Sequence, residues 1–256
     1  MFSTLPEMLP YRFNAHFRHH HQRCYHSTMP RRGKFITFEG LDGTGKSTQM
    51  RKLAAKLRAA GHGVVETREP GGTATGEKIR RVLLDSATEG LSPMAEMALM
   101  FASRAQHILE VIEPALESGM IVLCDRFTDS TEAYQGSGRK LGSEAVLKLH
   151  RVLCGDLRPD LTILLDNDLG KSIGRARRRN HKAVRRAESL GEHGDENRFE
   201  QQNRAFFARV RDGYAAIAKR EPGRVVVVDA SGEKGETQRG IMEVVQRKLK
   251  LAVKNA

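Results

Sequence analysis

The sequence contains no tryptophan, few aromatic residues, three cysteines and no long apolar run. Three cysteines cannot form a complete set of pairs, which argues against a secreted disulfide scaffold and for a reducing compartment. No apolar stretch approaches the roughly 18 residues that cross a bilayer, so we expect no membrane partner. No internal repeat or coiled-coil period is present. The 256 residues fit one α/β domain with a tail, or at most two small domains.

Excess positive charge is confined to two segments, although the formal net charge of the chain is +12. Residues 1–33 contain five arginines and one glutamate, and residues 171–187 contain eight basic side chains and no acidic one. The remaining residues contain 30 basic and 30 acidic side chains, so their charge sums to zero. A protein that holds a nucleic-acid duplex carries a broader basic surface, so we expect no nucleic-acid partner. The segment 171–187 fits either a clamp for a small polyanion or a solvated helix face.

Residues 1–32 differ in composition from the rest of the chain. They have no sustained hydrophobic period, three prolines and three consecutive histidines, His19–His21. This composition predicts a disordered N-terminal extension before one folded domain over residues 33–256, with metal binding by the histidines as the alternative. A native start at Met29 would leave a short lead-in to the first strand, which mass spectrometry of the native N-terminus tests. The extension resembles an organellar transit peptide only superficially, so we expect a cytoplasmic location.

From Lys34 onward, apolar runs alternate with amphipathic segments. The predicted strands are Lys34–Glu39, Val64–Thr67, Met120–Cys124, Leu161–Leu165 and Val225–Val228. The first predicted helix carries Met50, Leu53, Ala54 and Leu57 and is closed by Gly61. The other predicted helices are Ile79–Leu84, Ala95–Leu116 with its last turn bent at Pro114, Val146–Leu153, Phe206–Ala218 and Ile241–Val253. Strands that alternate with helices predict an α/β fold: a five-stranded parallel sheet covered by helices on both faces. Ligands of such sheets bind at the carboxyl ends of the strands.

One glycine-rich motif directly follows the first predicted strand and opens an amphipathic helix. It is Gly40-Leu41-Asp42-Gly43-Thr44-Gly45-Lys46-Ser47, followed by Thr48, and it matches the pattern G-x-x-x-x-G-K-[ST]. The glycines allow backbone N–H groups to surround phosphates at the positive end of the helix. Lys46 would reach the β and γ phosphates, and the Ser47 hydroxyl would ligate Mg²⁺. The motif therefore predicts ATP with Mg²⁺, and an ordinary glycine turn is the alternative.

The third predicted strand ends at Asp125, which is followed by Arg126. Because the carboxyl ends of parallel strands meet at one edge of the sheet, Asp125 is a candidate second ligand for Mg²⁺. Arg126 would then lie at the mouth of the same cleft, beside a second anion. An ordinary surface ion pair is the alternative interpretation of this dipeptide.

Further segments, from about Lys34 to the C-terminus, resemble the thymidylate kinase family. The resemblance rests on Phe38-Glu39-Gly40, Thr67-Arg68-Glu69-Pro70-Gly71-Gly72-Thr73, Asp125-Arg126-Phe127, Ser130-Thr131-Glu132-Ala133-Tyr134-Gln135-Gly136, Arg158-Pro159-Asp160 and Asn197-Arg198-Phe199-Glu200-Gln201. It implies the P-loop nucleoside monophosphate kinase fold with a short lid. It also implies transfer of the γ-phosphoryl group of ATP to dTMP, which gives dTDP and ADP for dTTP synthesis, with Mg²⁺ bridging.

The resemblance assigns roles to individual residues. Arg68 and Arg126 resemble the arginines that hold the dTMP phosphate, and Asp42 resembles the carboxylate that accepts the sugar 3′-OH. The residues that resemble contacts to the thymine edge are Arg104, Thr131 and Gln135, and Tyr134 would pack near the deoxyribose. Glu69-Pro70 resembles a turn whose proline is often cis. The family is commonly a homodimer, for which the Ala95–Leu116 helix is a candidate interface, although a core role explains its apolar residues equally well.

Gly43 stands where some members carry an arginine, and it resembles the bacterial branch, in which the lid, here about residues 171–200, supplies that arginine. The candidates are Arg175, Arg177, Arg178 and Arg179, with Arg198 as a further one; the sequence does not rank them, and Arg175 and Arg179 are the two predicted as catalytic. The chain departs from the family pattern at two places. Met100 stands where a phenylalanine usually stacks on the base, so either Phe101 reaches the base or Met100 contacts it and selectivity loosens. Residues Asn180–Glu196 are expected to form an inserted loop.

Two other functions remain open at this point. The first is a different nucleoside monophosphate kinase, or one that tolerates dUMP, because only the base pocket would differ. The second is a binding protein that uses the basic tail and the lid. The complete phosphate loop together with Asp125 and Arg126 argues against loss of catalysis, and the neutral remainder of the chain argues against duplex binding.

Overall fold

Five parallel strands form the centre of the molecule. The computed structural model describes residues 32–88, 90–155, 157–189 and 198–252. The strands are β1 (Phe35–Glu39), β2 (Val64–Arg68), β3 (Ile121–Asp125), β4 (Leu161–Asp166) and β5 (Val225–Asp229), in the spatial order β2-β3-β1-β4-β5 with every pair parallel. This arrangement confirms the five predicted strands and the α/β fold class. The central strands read as continuous apolar runs because both of their faces are covered.

Helices connect the strands, and several of them begin at a side-chain cap. They are α1 (Lys46–Ala59), α2 (Ala74–Leu84), α3 (Pro93–His107), the π-helical turn π1 (Ile108–Ile112), α4 (Glu113–Glu117), α5 (Thr128–Thr131), the π-helical turn π2 (Glu132–Gly138), α6 (Ser143–Cys154), α7 (Leu169–Ser189), α8 (Arg204–Arg220) and α9 (Lys234–Leu249). The side chains of Thr73, Ser92 and Asn203 accept backbone N–H bonds at the starts of α2, α3 and α8. Within the described ranges no helix is long and apolar enough to cross a membrane.

The structure corrects the bounds of predicted helices and one predicted loop. The segment Ala95–Leu116 is not one α-helix, because π1 interrupts it just before Pro114, which has no N–H to donate to the carbonyl four residues earlier. Helix α9 begins at Lys234, seven residues before the predicted start, where Glu233 and Glu236 form a capping box. The predicted loop Asn180–Glu196 is helical as far as Ser189, in α7. Residues 190–197 and the predicted extension up to residue 31 lie outside the described residues.

The core has one layer on each face of the sheet and a third cluster beside β4. On one face, α1 and α9 pack on Ile36 and Phe38. On the other face, α3 and α6 pack on Phe35, Val122 and Cys124. The third cluster joins Leu164 to π2 and α8 through Tyr134, Phe206, Val210 and Tyr214. Cys124 and Cys154 are free and buried, as expected for small core residues. This packing fixes the carboxyl ends of β1, β2 and β3, where the candidate site lies.

Candidate active site

The phosphate loop turns sharply between β1 and α1. Gly40, Gly43 and Gly45 adopt φ angles of 127°, 84° and 100°, which side chains disfavour. A Cβ atom on Gly40 would lie 2.3 Å from the carbonyl oxygen of Leu165, so only glycine fits against β4 there. The loop therefore leads directly into the N-terminus of α1, where free backbone N–H groups attract phosphate.

Lys46 crosses the phosphate loop from the first turn of α1. Its Nζ donates to the carbonyl oxygens of Gly40 at 3.1 Å and Leu41 at 3.0 Å, and lies 3.8 Å from Asp42 Oδ1. Burial and the charge of Arg126 lower the Lys46 pKa, and the Asp42 carboxylate opposes them. The loop thus holds the ammonium group where the donor phosphates of a nucleotide would lie.

Ser47 and Asp125 meet at the opposite side of the loop, as predicted from their sequence positions. Strand pairing places Phe38 of β1 beside Asp125 of β3, so the carboxylate lies at the start of α1. Ser47 Oγ donates to Asp125 Oδ2 at 2.5 Å. A hydroxyl and a carboxylate are oxygen ligands of the kind that Mg²⁺ prefers, and Mg²⁺ usually completes its shell with water and substrate phosphates. The pair therefore fits the expected metal.

Arg126 approaches the same oxygen of Asp42 as Lys46 does, and its backbone φ is 75°. Its guanidinium donates to Asp42 Oδ1 at 2.9 Å, Ser130 Oγ at 2.9 Å, Tyr214 OH at 3.0 Å and Tyr134 OH at 3.2 Å. Burial would raise the pKa of Asp42, but Arg126 and Lys46 outweigh it and hold that pKa well below its usual range. Asp42 is therefore an ionised acceptor between two cations.

Tyr214 bonds the Arg126 guanidinium, and Glu39 bonds the backbone next to it at Phe127. The sequence assigned neither Glu39 nor Tyr214 a role. Glu39 is fully buried and accepts bonds from the Phe127 N–H at 2.7 Å, Ser130 Oγ at 2.6 Å and Tyr214 OH at 2.9 Å. Burial, then the charge of Asp129, raises the Glu39 pKa to about 7. A glutamate that ends an apolar strand was the signal that could have found it.

The residues expected at the base line the other half of the cavity. Arg104 is 2% exposed, and its Nε donates to Glu69 Oε2 at 2.7 Å while Nη2 donates to Thr131 Oγ1 at 2.9 Å. Gln135 Nε2 donates to Glu96 Oε1 at 2.8 Å. These bonds bring α3 and the segment 128–138 together on one wall, opposite the phosphate loop. Arg68 lies at the rim, where its Nη2 donates to both carboxylate oxygens of Glu77.

One cavity of about 750 Å³ joins these groups. The expected site residues that line it are Asp42, Gly43, Gly45, Lys46, Ser47, Thr48, Arg68, Met100, Arg104, Asp125, Arg126, Thr131, Tyr134, Gln135, Arg175 and Arg179. Gly40, Leu41, Thr44 and Phe101 do not line it. Sequence reasoning did not assign the lining residues Arg51, Glu69, Pro70, Arg80, Leu84, Phe127, Ser130, Asn180, Val184, Phe199 and Glu200 to the site. Several of these are apolar, and nothing in a single sequence separates them from core residues.

The two alternatives at positions 100 and 101 are separated by the structure. Met100 lines the cavity, whereas Phe101 is fully buried in the core between α3 and the sheet. The Phe101 ring centroid lies 5.0 Å from Cζ of Arg104, so it supports that arginine from behind. The expected contact between Phe101 and a base is therefore not available, and a thioether occupies the position at the cavity wall.

The lid arginines divide according to the face of α7 that carries them. All four of these arginines on α7 are exposed, but Arg175 and Arg179 line the cavity and Arg177 and Arg178 do not. Arg198 lies elsewhere: its Nη2 donates to Glu96 Oε2 at 2.7 Å and its Nε to the Leu83 carbonyl at 2.5 Å. Arg198 is thus a buried structural residue, contrary to its expected place among the lid candidates.

Gly43 explains how the lid comes so close to the phosphate loop. A Cβ atom at Gly43 would lie 2.3 Å from the Ser172 carbonyl oxygen and 3.1 Å from Cβ of Arg175. A side chain at this position would therefore push α7 away from the loop. With glycine at position 43 the phosphate loop has no arginine of its own. The space left by the missing side chain is taken by α7, which carries Arg175.

The fold and the cavity together indicate the class of the protein. The sheet is parallel, and the cavity contains a phosphate loop, the Ser47–Asp125 pair and several arginines. These features define a P-loop nucleoside monophosphate kinase.

Comparisons with known proteins agree with this class and narrow it. The sequence model of the family described as thymidylate kinase matches residues 38–241. A thymidylate kinase of Trichlorobacter lovleyi is 48% identical over 219 residues, with 86% of this chain and 100% of that relative covered. A thymidylate kinase of Pseudomonas syringae pv. tomato is 47% identical over 219 residues, with coverage of 86% and 98%. The crystal structure of thymidylate kinase from Ehrlichia chaffeensis has a TM-score of 0.63 and 32% identity, with coverage of 84% and 98%. The chain belongs to the thymidylate kinase family, which confirms the resemblance inferred from its motifs.

Proposed function

We propose that this chain transfers the γ-phosphoryl group of ATP to dTMP and releases dTDP and ADP. One observation carries the proposal: a single cavity contains a donor side at Lys46 and an acceptor side at Arg126. Asp42 lies between them, 2.9 Å from Arg126 and 3.8 Å from Lys46. Membership of the thymidylate kinase family supports the choice of dTMP as acceptor.

On the donor side, the phosphate loop and Lys46 hold the β and γ phosphates of ATP. Ser47 and Asp125 would hold Mg²⁺, which when bound neutralises phosphate charge. Arg175 and Arg179 reach the same cavity from α7 and supply the positive charge that Gly43 does not. Together these residues stabilise the charge that develops on the transferred group.

On the acceptor side, Arg126 and Arg68 hold the 5′-phosphate of dTMP, and Asp42 accepts the 3′-OH. An oxygen of that phosphate forms a bond to the γ-phosphorus while the bond to the β–γ bridging oxygen breaks. Because the acceptor oxygen is already anionic, no side chain has to remove a proton, and alignment is the main contribution of the protein. Arg104, Thr131 and Gln135 contact the base edge, and Tyr134 flanks the sugar.

We also propose that the chain acts as a homodimer, binds neither nucleic acid nor membrane, and works in the cytoplasm. Large apolar side chains on α6 and next to α3 are exposed, with Leu109 at 67%, Val152 at 79% and Leu153 at 46%. The chain outside residues 1–33 and 171–187 has no net charge, which gives a duplex little to bind. The few cysteines suit a reducing compartment.

The test is ADP release by the purified chain with Mg-ATP and dTMP, dUMP, dCMP, dGMP or UMP as acceptor. We expect strong preference for dTMP. A Lys46→Met variant, which loses the donor-side ammonium group, controls for contaminating kinases and should fall by at least about 100-fold. Equal turnover with dUMP would replace the proposal with a promiscuous pyrimidine nucleotide kinase. Folded, ATP-binding protein that turns over no acceptor would refute the enzymatic function.

A further inference from the structure

A buried hydrogen-bond network starts at Arg104 and Glu69, which line the base side of the cavity, and continues into the protein through His107 and Thr67. Arg104 Nε donates to Glu69 Oε2 at 2.7 Å, and His107 Nδ1 donates to Glu69 Oε1 at 2.9 Å. His107 Nε2 bonds to Thr67 Oγ1 at 2.6 Å. Arg104, Glu69 and His107 are each at most 5% exposed. Two periodicities bring these side chains together. Residues 67 and 69 share one side of an extended segment, and residues 104 and 107 share one face of α3.

The same cluster has the composition of a metal site, because ligand atoms of Glu69, His107 and Cys124 lie within 4.8 Å of one another. Hydrogen bonds already occupy both oxygens of Glu69 and both nitrogens of His107. Burial, reinforced by nearby carboxylates, raises the pKa of the Cys124 thiol, which donates to the Arg126 carbonyl. A protonated thiol and saturated partners bind metal poorly, so the cluster is a hydrogen-bond chain.

At the cavity, this series of hydrogen bonds ends at Arg104, one of whose nitrogens makes no hydrogen bond to the described residues. Nε and Nη2 of Arg104 are bonded, whereas Nη1 is buried and has no partner among the residues that the structure describes. The guanidinium is also enclosed by the rings of Phe101 and Phe127, whose centroids lie 5.0 and 5.1 Å from Cζ. A buried charged donor without an acceptor is unfavourable, so this nitrogen calls for an oxygen of the ligand.

We propose that Glu69 and His107 are positioning residues for recognition of the acceptor base, because they hold Arg104 with Nη1 reserved for a carbonyl oxygen of the pyrimidine. The inference rests on the proposed function. Glu69 fixes the guanidinium plane, His107 fixes the second carboxylate oxygen, and Thr67 fixes the imidazole ring. An arginine held in this way loses little conformational freedom when the base binds. A base with an amino group in place of the carbonyl would place its N–H donor against the N–H donor of Arg104 Nη1, and it would bind poorly.

The carboxylate suits this role because it remains ionised despite its burial. Burial alone would raise the pKa of Glu69, but Arg104, with help from His107, lowers it below its usual value. A bond between an ionised carboxylate and a guanidinium is stronger and more directional than a neutral one. Glutamine at position 69 keeps the shape of the side chain and removes that charge.

The experiment measures KM and kcat for dTMP and dCMP in the wild type, Glu69→Gln, Arg104→Lys and the double variant. Glu69→Gln should raise KM for dTMP by roughly 10- to 100-fold and narrow the preference for dTMP over dCMP, while kcat and KM for ATP change by less than about twofold. In the Arg104→Lys background, Glu69→Gln should add less than about a twofold effect, because Glu69 acts through Arg104. Glu66→Gln is the matched control, since Glu66 lies on β2 three residues before Glu69 and pairs with Arg58, which is exposed.

Several outcomes would overturn the inference. In a folded Glu69→Gln variant, an unchanged KM for dTMP, or effects that multiply in the double variant, would leave Glu69 with a purely structural role. Where Glu69→Gln does not fold, the isosteric Thr67→Val tests the far end of the chain. It should raise KM for dTMP by about threefold, and an unchanged value would refute the chain. A wild type inactive with every acceptor refutes the proposed function instead, so the two failures are distinguishable.

Discussion

Asp42 and Glu39 both lie beside Arg126, yet their pKa values move in opposite directions. Asp42 bonds the guanidinium directly and also faces Lys46, so cationic neighbours outweigh its burial and lower its pKa. Glu39 reaches Arg126 only through hydroxyl groups and the backbone, so burial dominates and raises its pKa to about 7. The first carboxylate is a charged part of the cavity. The second is a buried support of the loop that carries Arg126, and it binds a proton more readily in the folded state than in the unfolded one.

The raised pKa of Glu39 predicts how stability depends on pH. The folded protein holds a proton on Glu39 between the usual value of 4.5 and about 7, where the unfolded chain has released it. The free energy of unfolding should therefore fall as pH rises through that window. Glu39→Gln should remove up to about 3 kcal/mol of this fall, because one pKa unit corresponds to about 1.4 kcal/mol. Urea unfolding at about pH 5 and pH 8 measures it. Equal slopes in the wild type and in Glu39→Gln would contradict the assignment, and Glu66→Gln should keep the wild-type slope.

Met100 predicts a looser base pocket that an aromatic ring would tighten. The side chain lines the cavity, and Phe101 is unable to replace it because it lies in the core. Met100→Phe should lower KM for dTMP by about threefold and raise the preference for dTMP over dUMP, since stacking adds contact with the ring face. Steady-state kinetics with both acceptors checks this. Met94→Phe is the control, because Met94 is 54% exposed on the same helix. An unchanged preference in Met100→Phe would show that the base does not contact this position.

At the scale of elements, the pattern of apolar residues was sufficient for the sheet but not for helix boundaries. The strands follow from short apolar runs, and β3 begins within one residue of its predicted start. Helices α2 and α9 begin earlier than predicted because polar caps start them, and caps do not contribute to an apolar period. The turn π1 and the helical extension of α7 over residues 180–189 depend on tertiary packing and on a polar sequence, neither of which the apolar pattern reports.

The candidate site divides in the same way between motif and packing. Gly40–Ser47, Asp125 and Arg126 were found because their residue types are constrained by phosphate and metal chemistry. Glu39, Tyr214 and the chain behind Arg104 were missed because their partners are distant in sequence and become neighbours only in the fold. The choice between Arg175 and Arg178 required the position of α7 against the cavity, which four clustered candidates in a basic segment do not reveal.

The orientation of α7 predicts which lid arginines affect catalysis. Arg175 and Arg179 line the cavity, so Arg175→Ala and Arg179→Ala should each lower kcat by roughly 10- to 1000-fold, because a cation near the transferred phosphoryl group stabilises its transition state. Arg178→Ala is the matched control on the exposed face of the same helix and should stay within about twofold of the wild type. Initial rates at saturating ATP and dTMP measure the effect. Losses of similar size in all three variants would mean that kcat depends on the total positive charge of α7 and not on which face carries each arginine.

At the scale of the whole molecule, charge and apolar surface are separated. The excess charge of the described residues is concentrated on α7, next to the cavity that would receive anionic substrates. The exposed apolar residues Leu109 and Val152 lie on π1 and α6, and α3 packs on α6. Large apolar side chains exposed to water are unfavourable, and they suit contact with another copy of the chain. The layer formed by α3 and α6 therefore contributes Met100 and Arg104 to the cavity and Val152 to the proposed interface.

The proposed dimer predicts a change of mass in solution when this surface becomes charged. We expect the wild type to sediment at twice the chain mass of 28.6 kDa and the double variant Leu109→Glu, Val152→Glu to sediment as a monomer at micromolar concentration. Two buried, unpaired carboxylates at an interface destabilise association far more than they destabilise the monomer, where both positions face solvent. Val227→Glu is the control, because Val227 is 53% exposed on β5, at the sheet edge farthest from β2. A wild type that is monomeric throughout would refute the dimer, and a double variant that stays dimeric would place the interface elsewhere. Measuring kcat on the monomeric variant then decides whether one chain contains a complete site, as the enclosure of Lys46, Asp125 and Arg126 in one cavity indicates.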